Sequence, residues 1–119
     1  MKANELRIGN WVQKREFLTE SKFVEITVTS KDFAACIVQP KDYKRIRLTE
    51  EWLYRFGFER TKEGVFKLFK DNKTICTVQE WDFGKFEYSQ LTIHGIYIYY
   101  VHHLQNLYFE LTNQELTLI

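Results

Sequence analysis

The chain has 119 residues and a formal net charge of +1, with 45% hydrophobic and 17% aromatic residues. This composition is typical of a globular protein and argues against a disordered chain, which would contain few aromatic residues. It also argues against a dedicated DNA-binding domain, which would carry a strong basic excess. No apolar run approaches the roughly 20 residues of a membrane-spanning helix, and the first residues lack the apolar core of a signal peptide. We therefore expect a cytoplasmic protein with no membrane partner.

The first 48 residues predict short β-strands. Gly9-Asn10 provides a turn before the first strand, and Phe23–Thr29 alternates apolar and polar residues with a period of two. Ala34–Gln39 predicts a third strand, and Lys44–Leu48 predicts a fourth. This spacing favours a small, strongly bent antiparallel sheet of SH3-like character.

A short helix and a β-meander are predicted next. Thr49 is a good N-cap residue, the two acids that follow it favour the positive end of a helix dipole, and Gly57 ends the helix. Turn residues then separate a series of predicted strands, with a further turn at His94-Gly95. These strands are Gly64–Phe69, Thr74–Trp81 and Lys85–Leu91.

The stretch from residue 95 to residue 111 dominates the pattern of the chain. Ile96–Val101 contains no charged residue and predicts a central strand that is covered on both faces. From Val101 the apolar residues follow a helical period, and Asn113 can end that helix in the left-handed conformation. The predicted polar side of the helix consists of His102, His103, Gln105, Asn106 and Glu110.

Together these elements predict a single α+β domain over residues 1–119. We expect a bent sheet, a short linking helix, and an antiparallel meander that the C-terminal helix closes. A division into two sub-lobes, residues 1–48 and 49–119, is compatible with the same pattern.

No pattern of catalytic or metal-binding residues is present. Cys36 and Cys76 lie in apolar segments, which favours buried thiols over a nucleophile. His102 and His103 are adjacent on a helix and point about 100° apart, and the sequence indicates no third ligand for them. We therefore predict no catalytic residue, no metal ion and no cofactor, and a protein that is not an enzyme.

A basic stretch at Lys41–Arg47 suggests nucleic-acid binding. Its basic groups could contact phosphates while its tyrosine stacks on a base. The alternative is a solvated edge strand, where lysine and arginine prevent association between sheets. The candidate nucleic-acid-binding residues are Lys41, Tyr43, Lys44, Arg45 and Arg47.

Aromatic residues suggest a second candidate site. Tryptophan and tyrosine are favoured in protein interfaces, although in small domains such residues more often belong to the core. The same side chains could instead line a pocket for a small molecule or nucleotide. The candidate ligand- or partner-binding residues are Trp81, Tyr97, Tyr99 and His102.

Three phrases of the sequence resemble a known group of proteins. They are ELRIGNWV at Glu5–Val12, LTEEWLYRFGF at Leu48–Phe58, and VHHLQNLYFELTNQEL at Val101–Leu116. They resemble uncharacterised small proteins encoded in phages, prophages and mobile elements of Bacteroidota-type bacteria. The chain departs from that group at Asn113, where glycine is expected, and at the second histidine, His103. The group has no established activity, so the resemblance implies only a small accessory protein in a bacterial or phage cytoplasm.

The leading functional prediction is a non-enzymatic accessory protein that binds another macromolecule, in the first place a host or phage protein. The high aromatic content, the small net charge and the absence of catalytic patterns favour it. Nucleic-acid binding and small-molecule binding are the alternatives, and a homodimer is compatible with the sequence.

Overall fold

The computed structural model of the chain describes residues 1–16, 22–82, 84–90 and 93–119. It divides into two compact units: residues 1–47 with 100–114, and residues 48–99 with 115–119. Within the described residues, the first unit contains a three-stranded antiparallel sheet and the second a five-stranded antiparallel sheet. The α+β class predicted from the sequence is therefore confirmed.

The first unit contains three strands and two α-helices in the described part of the chain. The strands are β1 (Trp11–Arg15), β2 (Phe23–Thr27) and β3 (Tyr43–Lys44), in the order β2-β1-β3. The helices are α1 (Ser30–Val38) and α3 (Val101–Thr112). A buried apolar cluster forms the core of this unit and contains Leu6, Val12, Val28, Cys36 and Tyr43.

The strand predicted at Ala34–Gln39 is wrong, because this segment belongs to helix α1. Thr29 is the N-cap residue, and its hydroxyl accepts a hydrogen bond from the backbone N–H of Asp32. The Asp32 carboxylate in turn accepts one from the backbone N–H of Thr29, which completes a capping box. These polar residues start the helix, whereas the short apolar run after them fits a strand and a helix equally well. With this change the SH3-like description of the first 48 residues has no support.

Helix α3 binds to the N-terminal segment of its unit largely through polar side chains. The Gln105 side chain accepts a hydrogen bond from the backbone N–H of Trp11 at 2.8 Å and donates one to the carbonyl oxygen of Gly9 at 3.2 Å. The side-chain oxygen of the next residue, Asn106, accepts a hydrogen bond from Arg7 at 2.9 Å and one from the side-chain amide of Asn10 at 2.8 Å. The prediction that Gln105 faces solvent is therefore wrong, since its side chain is buried.

The second unit consists of a short helix and a five-stranded meander. Helix α2 (Glu50–Arg55) begins at the predicted N-cap, Thr49, and Gly57 follows it with a φ of +93°. The sheet has the strand order β4-β5-β6-β7-β8. Its strands are β4 (Glu59–Lys62), β5 (Val65–Lys70), β6 (Lys73–Trp81), β7 (Lys85–Gln90) and β8 (Ile93–Ile98).

Strand β8 differs from the prediction in two respects. It is the last strand of its sheet and not a central one, and Tyr97 and Tyr99 are exposed. The turn predicted at His94-Gly95 lies inside this strand, where the pairing with β7 shifts register and Gly95 has a φ of +80°. Glycine tolerates this conformation, which is the one that a β-bulge requires. The end of the strand predicted at Leu91 lies outside the described residues.

The C-terminal helix belongs to a different unit from the one predicted. Helix α3 groups with residues 1–47, whereas the sequence suggested that it closes the meander of residues 49–119. Asn113 ends it in the predicted left-handed conformation, with a φ of +59°. Among the helices that the structure describes, none combines the length and the apolar character needed to cross a membrane.

Candidate functional site

A cluster of polar side chains surrounds the first turn of α3 in the first unit. We call Glu5, Arg45, His102 and His103 the histidine cluster. Oε1 of Glu5 lies 3.1 Å from Nε2 of His102. The same carboxylate accepts two hydrogen bonds from Arg45, at 2.7 and 2.9 Å. The two imidazole rings lie 4.5 Å apart between their centroids, so the cluster brings together a carboxylate, a guanidinium and two imidazoles.

Burial sets the charge of these groups. It lowers the pKa of His102 to about 4, helped by the neighbouring His103, although the Glu5 carboxylate acts in the opposite direction. Burial also lowers the pKa of His103. Burial alone would raise the pKa of Glu5, but its contacts with Arg45 and His102 outweigh this and lower it. At neutral pH the cluster therefore contains two neutral imidazoles beside an ionised carboxylate and a guanidinium.

The sequence placed both histidines on the polar side of the helix, and this is wrong for His102. Its side chain is fully buried and His103 is partly buried. The carboxylate of Glu5 makes this burial tolerable, because it gives the imidazole a hydrogen-bonding partner. Among the described residues, the second ring nitrogen of His102, Nδ1, is buried without a partner.

Glu5 is the residue that sequence reasoning missed. Its carboxylate, His102 and His103 each offer one atom suited to bind a metal, and these atoms all lie within 4.8 Å of one another. The sequence indicated no third ligand because Glu5 lies 97 positions before His102. The only signal that links the two residues is that each lies in one of the phrases ELRIGN and VHHLQN.

The tyrosine of the basic stretch Lys41–Arg47 is not accessible for stacking on a base. Tyr43 is buried, and its hydroxyl donates a hydrogen bond to Asp32 at 3.1 Å. Burial raises the pKa of Tyr43, and the Asp32 carboxylate raises it further. The tyrosine therefore belongs to the core, and the prediction that it stacks on a base is wrong.

The basic residues of the same stretch lie in different local surroundings. Arg45 is tied to Glu5 within the histidine cluster. Lys41, Lys44 and Arg47 are exposed, but Lys41 lies in a short 3-10 turn while Lys44 belongs to β3. Lys41, Lys44 and Arg47 are therefore the exposed cations of this stretch that lie outside the histidine cluster.

The predicted aromatic site is partly assembled in the second unit. Trp81 and Tyr97 are each 46% exposed, and Tyr99 is also exposed. In the sheet, Trp81 is paired with Lys85, and Tyr97 is paired with Glu87. His102, the fourth predicted member, belongs to the first unit.

Two contacts fix the exposed aromatic rings. The indole N–H of Trp81 donates a hydrogen bond to Glu87 at 2.9 Å, and the ammonium group of Lys85 lies 4.6 Å from the centre of the Tyr97 ring. We call this set of side chains, Trp81, Lys85, Glu87 and Tyr97, the aromatic surface. Its rings are held in place although they are accessible, as is favourable for binding.

Trp81 also lines a cavity of about 390 Å³ in the second unit. Five charged side chains of the described residues line this cavity, and Arg60 is the one base among them. Its guanidinium group lies 3.5 Å from the Glu50 carboxylate. The cavity therefore combines an aromatic wall with excess negative charge. Its acidic residues are Glu50, Glu63, Glu80 and Asp82.

No protein-family model, curated protein or solved structure matches the chain. The resemblance to small phage and mobile-element proteins therefore stays a prediction. The candidate sites rest on the chemistry of their side chains alone.

Proposed function

We propose that the chain is a non-enzymatic protein-binding module that holds a positively charged segment of its partner. The segment would bind in the acidic cavity and against the ring of Trp81, which lines it. The observation that supports this most directly is the position of Trp81, which is 46% exposed and lines a cavity with four acidic side chains.

Trp81 is suited to be the energetic centre of such an interface. Exposed tryptophan is enriched among the few residues that dominate binding energy, and it also attracts cations to the face of its ring. The hydrogen bond to Glu87 reduces the rotamer freedom that binding would otherwise remove. A lysine or arginine of the partner would meet both an aromatic face and nearby carboxylates.

The charge of the cavity selects the partner's chemistry. Glu63 and Asp82 are exposed, while Arg60 offsets one carboxylate by pairing with Glu50. The remaining negative charge favours a basic segment and disfavours an acidic one. It equally disfavours the phosphates of a nucleic acid at this surface.

The first experiment measures binding of synthetic lysine- and arginine-rich peptides, with acidic peptides of equal length for comparison. Fluorescence reports on the site, because Trp81 is the most exposed of the three tryptophans: Trp52 is buried and Trp11 is partly buried. We expect binding of basic peptides that weakens as the salt concentration rises. Equal binding of acidic peptides would contradict the proposal.

Variants locate the site. Trp81→Ala should weaken binding by about 2 kcal/mol, roughly thirtyfold, as is typical of a central interface residue. Phe69→Ala removes another exposed aromatic ring of the second unit that does not line the cavity, and it serves as the matched control. Glu63→Lys should weaken binding, whereas Glu59→Lys, outside the cavity lining, should not.

The alternatives predict other results. Nucleic-acid binding through Lys41, Lys44 and Arg47 would disappear with nuclease treatment and would be insensitive to Trp81→Ala. A small ligand in the cavity would raise the thermal stability of the protein without any macromolecule. Self-association would appear as a concentration-dependent mass in light scattering. We also propose a phage or mobile-element origin and an accessory role, and the three sequence phrases are the support for both.

A further inference from the structure

We propose that Glu5, His102 and His103 bind a divalent first-row transition-metal ion, for which Zn²⁺ is the representative. This site shares no residue with the aromatic surface, since all three residues belong to the first unit. Their ligand-type atoms lie within 4.8 Å of one another.

The distance between two of the ligands suits such an ion. Oε1 of Glu5 and Nε2 of His102 are 3.1 Å apart. An ion about 2.1 Å from both atoms would see them at an angle of about 95°, which lies close to octahedral geometry and can be opened toward tetrahedral. His103 supplies the third ligand from the adjacent position on α3. The two rings are already 4.5 Å apart, so a modest rotation of His103 completes the set.

The donor set selects the class of metal. Two imidazole nitrogens and one carboxylate oxygen suit zinc, iron, nickel and copper, whereas calcium and magnesium prefer oxygen ligands alone. Three protein ligands leave at least one coordination position for water or another ligand.

Binding requires one proton to move within His102. Without a metal ion, Nε2 and the Glu5 carboxylate share a hydrogen bond. A metal ion on Nε2 places the proton of the neutral ring on Nδ1. Among the described residues Nδ1 has no hydrogen-bond partner, so the change of tautomer gives up the hydrogen bond between Nε2 and Glu5 and no bond at Nδ1, and the metal ion takes the place of that hydrogen bond. The buried N–H then lacks an acceptor, and we expect weaker binding than in a zinc site with four ligands.

Arg45 opposes the metal ion and therefore provides a sharp test. Its guanidinium group binds both carboxylate oxygens of Glu5, including the one nearest His102. Its positive charge would repel a dication at that carboxylate, and the N-terminal end of α3 adds to this repulsion. Removal of the guanidinium should therefore strengthen metal binding. If the Glu5 carboxylate served only to pair with Arg45 and did not bind the ion, this removal would leave metal binding unaffected.

The test is calorimetric titration with Zn²⁺ of the full chain, produced without a polyhistidine tag. We expect one ion per chain. His103→Ala and Glu5→Gln should each weaken binding at least about tenfold. Glu110→Gln removes an exposed carboxylate on the same helix and should leave binding unchanged. Arg45→Met should strengthen binding at least about tenfold, and this gain remains informative if a ligand variant fails to fold.

Co²⁺ provides an independent measurement, because its visible absorption reports the ligands and the coordination number. The expected spectrum contains ligand-field bands without a strong thiolate band. A thiolate band would assign the ion to a cysteine and would overturn the proposal. The absence of saturable Zn²⁺ binding would also overturn it, as would binding that His103→Ala and Arg45→Met both leave unchanged.

Discussion

Replacement of Asp32 by alanine is expected to destabilise the first unit by about 3 kcal/mol. The buried carboxylate accepts hydrogen bonds from Lys14, Thr29 and Tyr43. Loss of the capping box costs about 1 kcal/mol, and the buried Tyr43 hydroxyl left without a partner costs about 1–3 kcal/mol more. The Lys14 ion pair adds little, because the lysine side chain is 43% exposed.

Asp42→Ala is the matched control for this prediction. Asp42 and Asp32 each lie 3.0 Å from a basic nitrogen, but the Asp42 side chain is 40% exposed and that of Asp32 only 10%. We expect the control to cost less than about 1 kcal/mol, as exposed ion pairs do. Urea unfolding followed by circular dichroism at neutral pH measures both free energies of unfolding. Equal losses in the two variants would refute the reasoning that burial makes Asp32 important.

The contribution of Asp32 should also depend on pH. Burial alone would raise its pKa, but hydrogen bonds from Lys14, Thr29 and Tyr43 lower it from 3.8 to about 2. The ionised form is therefore stabilised by the fold above pH 3.8, and this stability is lost as the pH falls towards 2. Asp32→Asn cannot ionise, so its deficit relative to the wild type should shrink by about 2 kcal/mol across this range. A constant deficit would contradict the assignment.

Three further changes test other parts of the fold. Gln105→Ala should cost about 2–3 kcal/mol in urea unfolding, because it leaves two backbone groups of the first unit without their side-chain partner. Gly57→Ala should cost about 1 kcal/mol or more by the same assay, because the φ of +93° is strained for alanine and the new Cβ would lie 3.2 Å from the side chain of Ile119. Cys36 and Cys76 should react with a thiol reagent only as the protein unfolds, because both are buried and burial raises their pKa values, that of Cys76 to about 11.

Local signals in the sequence predicted the elements that short-range chemistry determines. Thr49 begins helix α2, because its side chain accepts a hydrogen bond from the backbone N–H of Trp52, and Asn113 ends helix α3 in the left-handed conformation. Strands β5, β6 and β7 also lie close to their predicted positions, because turn residues delimit them. Strand β4 has no counterpart in the prediction, and β8 begins three residues before the strand predicted from Ile96. The strand predicted at Ala34–Gln39 is wrong because the capping box of Thr29 and Asp32 begins a helix, with which the apolar run that follows is equally compatible.

The candidate sites could not be predicted in this way, because they depend on pairing between distant segments. His102 is buried, and its partner Glu5 comes from a distant part of the sequence. Tyr43 is buried in the core with Asp32 as the acceptor of its hydroxyl group, and nothing in the basic stretch indicates this contact. The sequence named Trp81, Tyr97 and Tyr99 together as candidate binding residues, and all three are exposed.

The structure also gives a physical meaning to two of the phrases that carry the resemblance. The first and last phrases contact each other through side chains: Glu5 with His102, Arg7 with Asn106, and Gln105 with the backbone of Gly9. The phrases are therefore two halves of one polar interface between the N-terminal segment and α3. An interface of this kind constrains residue types strongly, because a change on one side leaves a polar group on the other without a partner.

The division of the chain also fixes an order of events during synthesis. The first unit needs α3, but the ribosome must make all of Leu48–Tyr99 before that helix exists. At about 5–20 residues per second, this delay lasts several seconds. During that time the nascent N-terminal segment exposes the polar groups that Gln105 and Asn106 later satisfy. Most residues of the second unit are synthesised before α3, so they are available to fold before the first unit is complete. In a cell, the first 47 residues of this chain therefore cannot complete their fold until α3 has been synthesised.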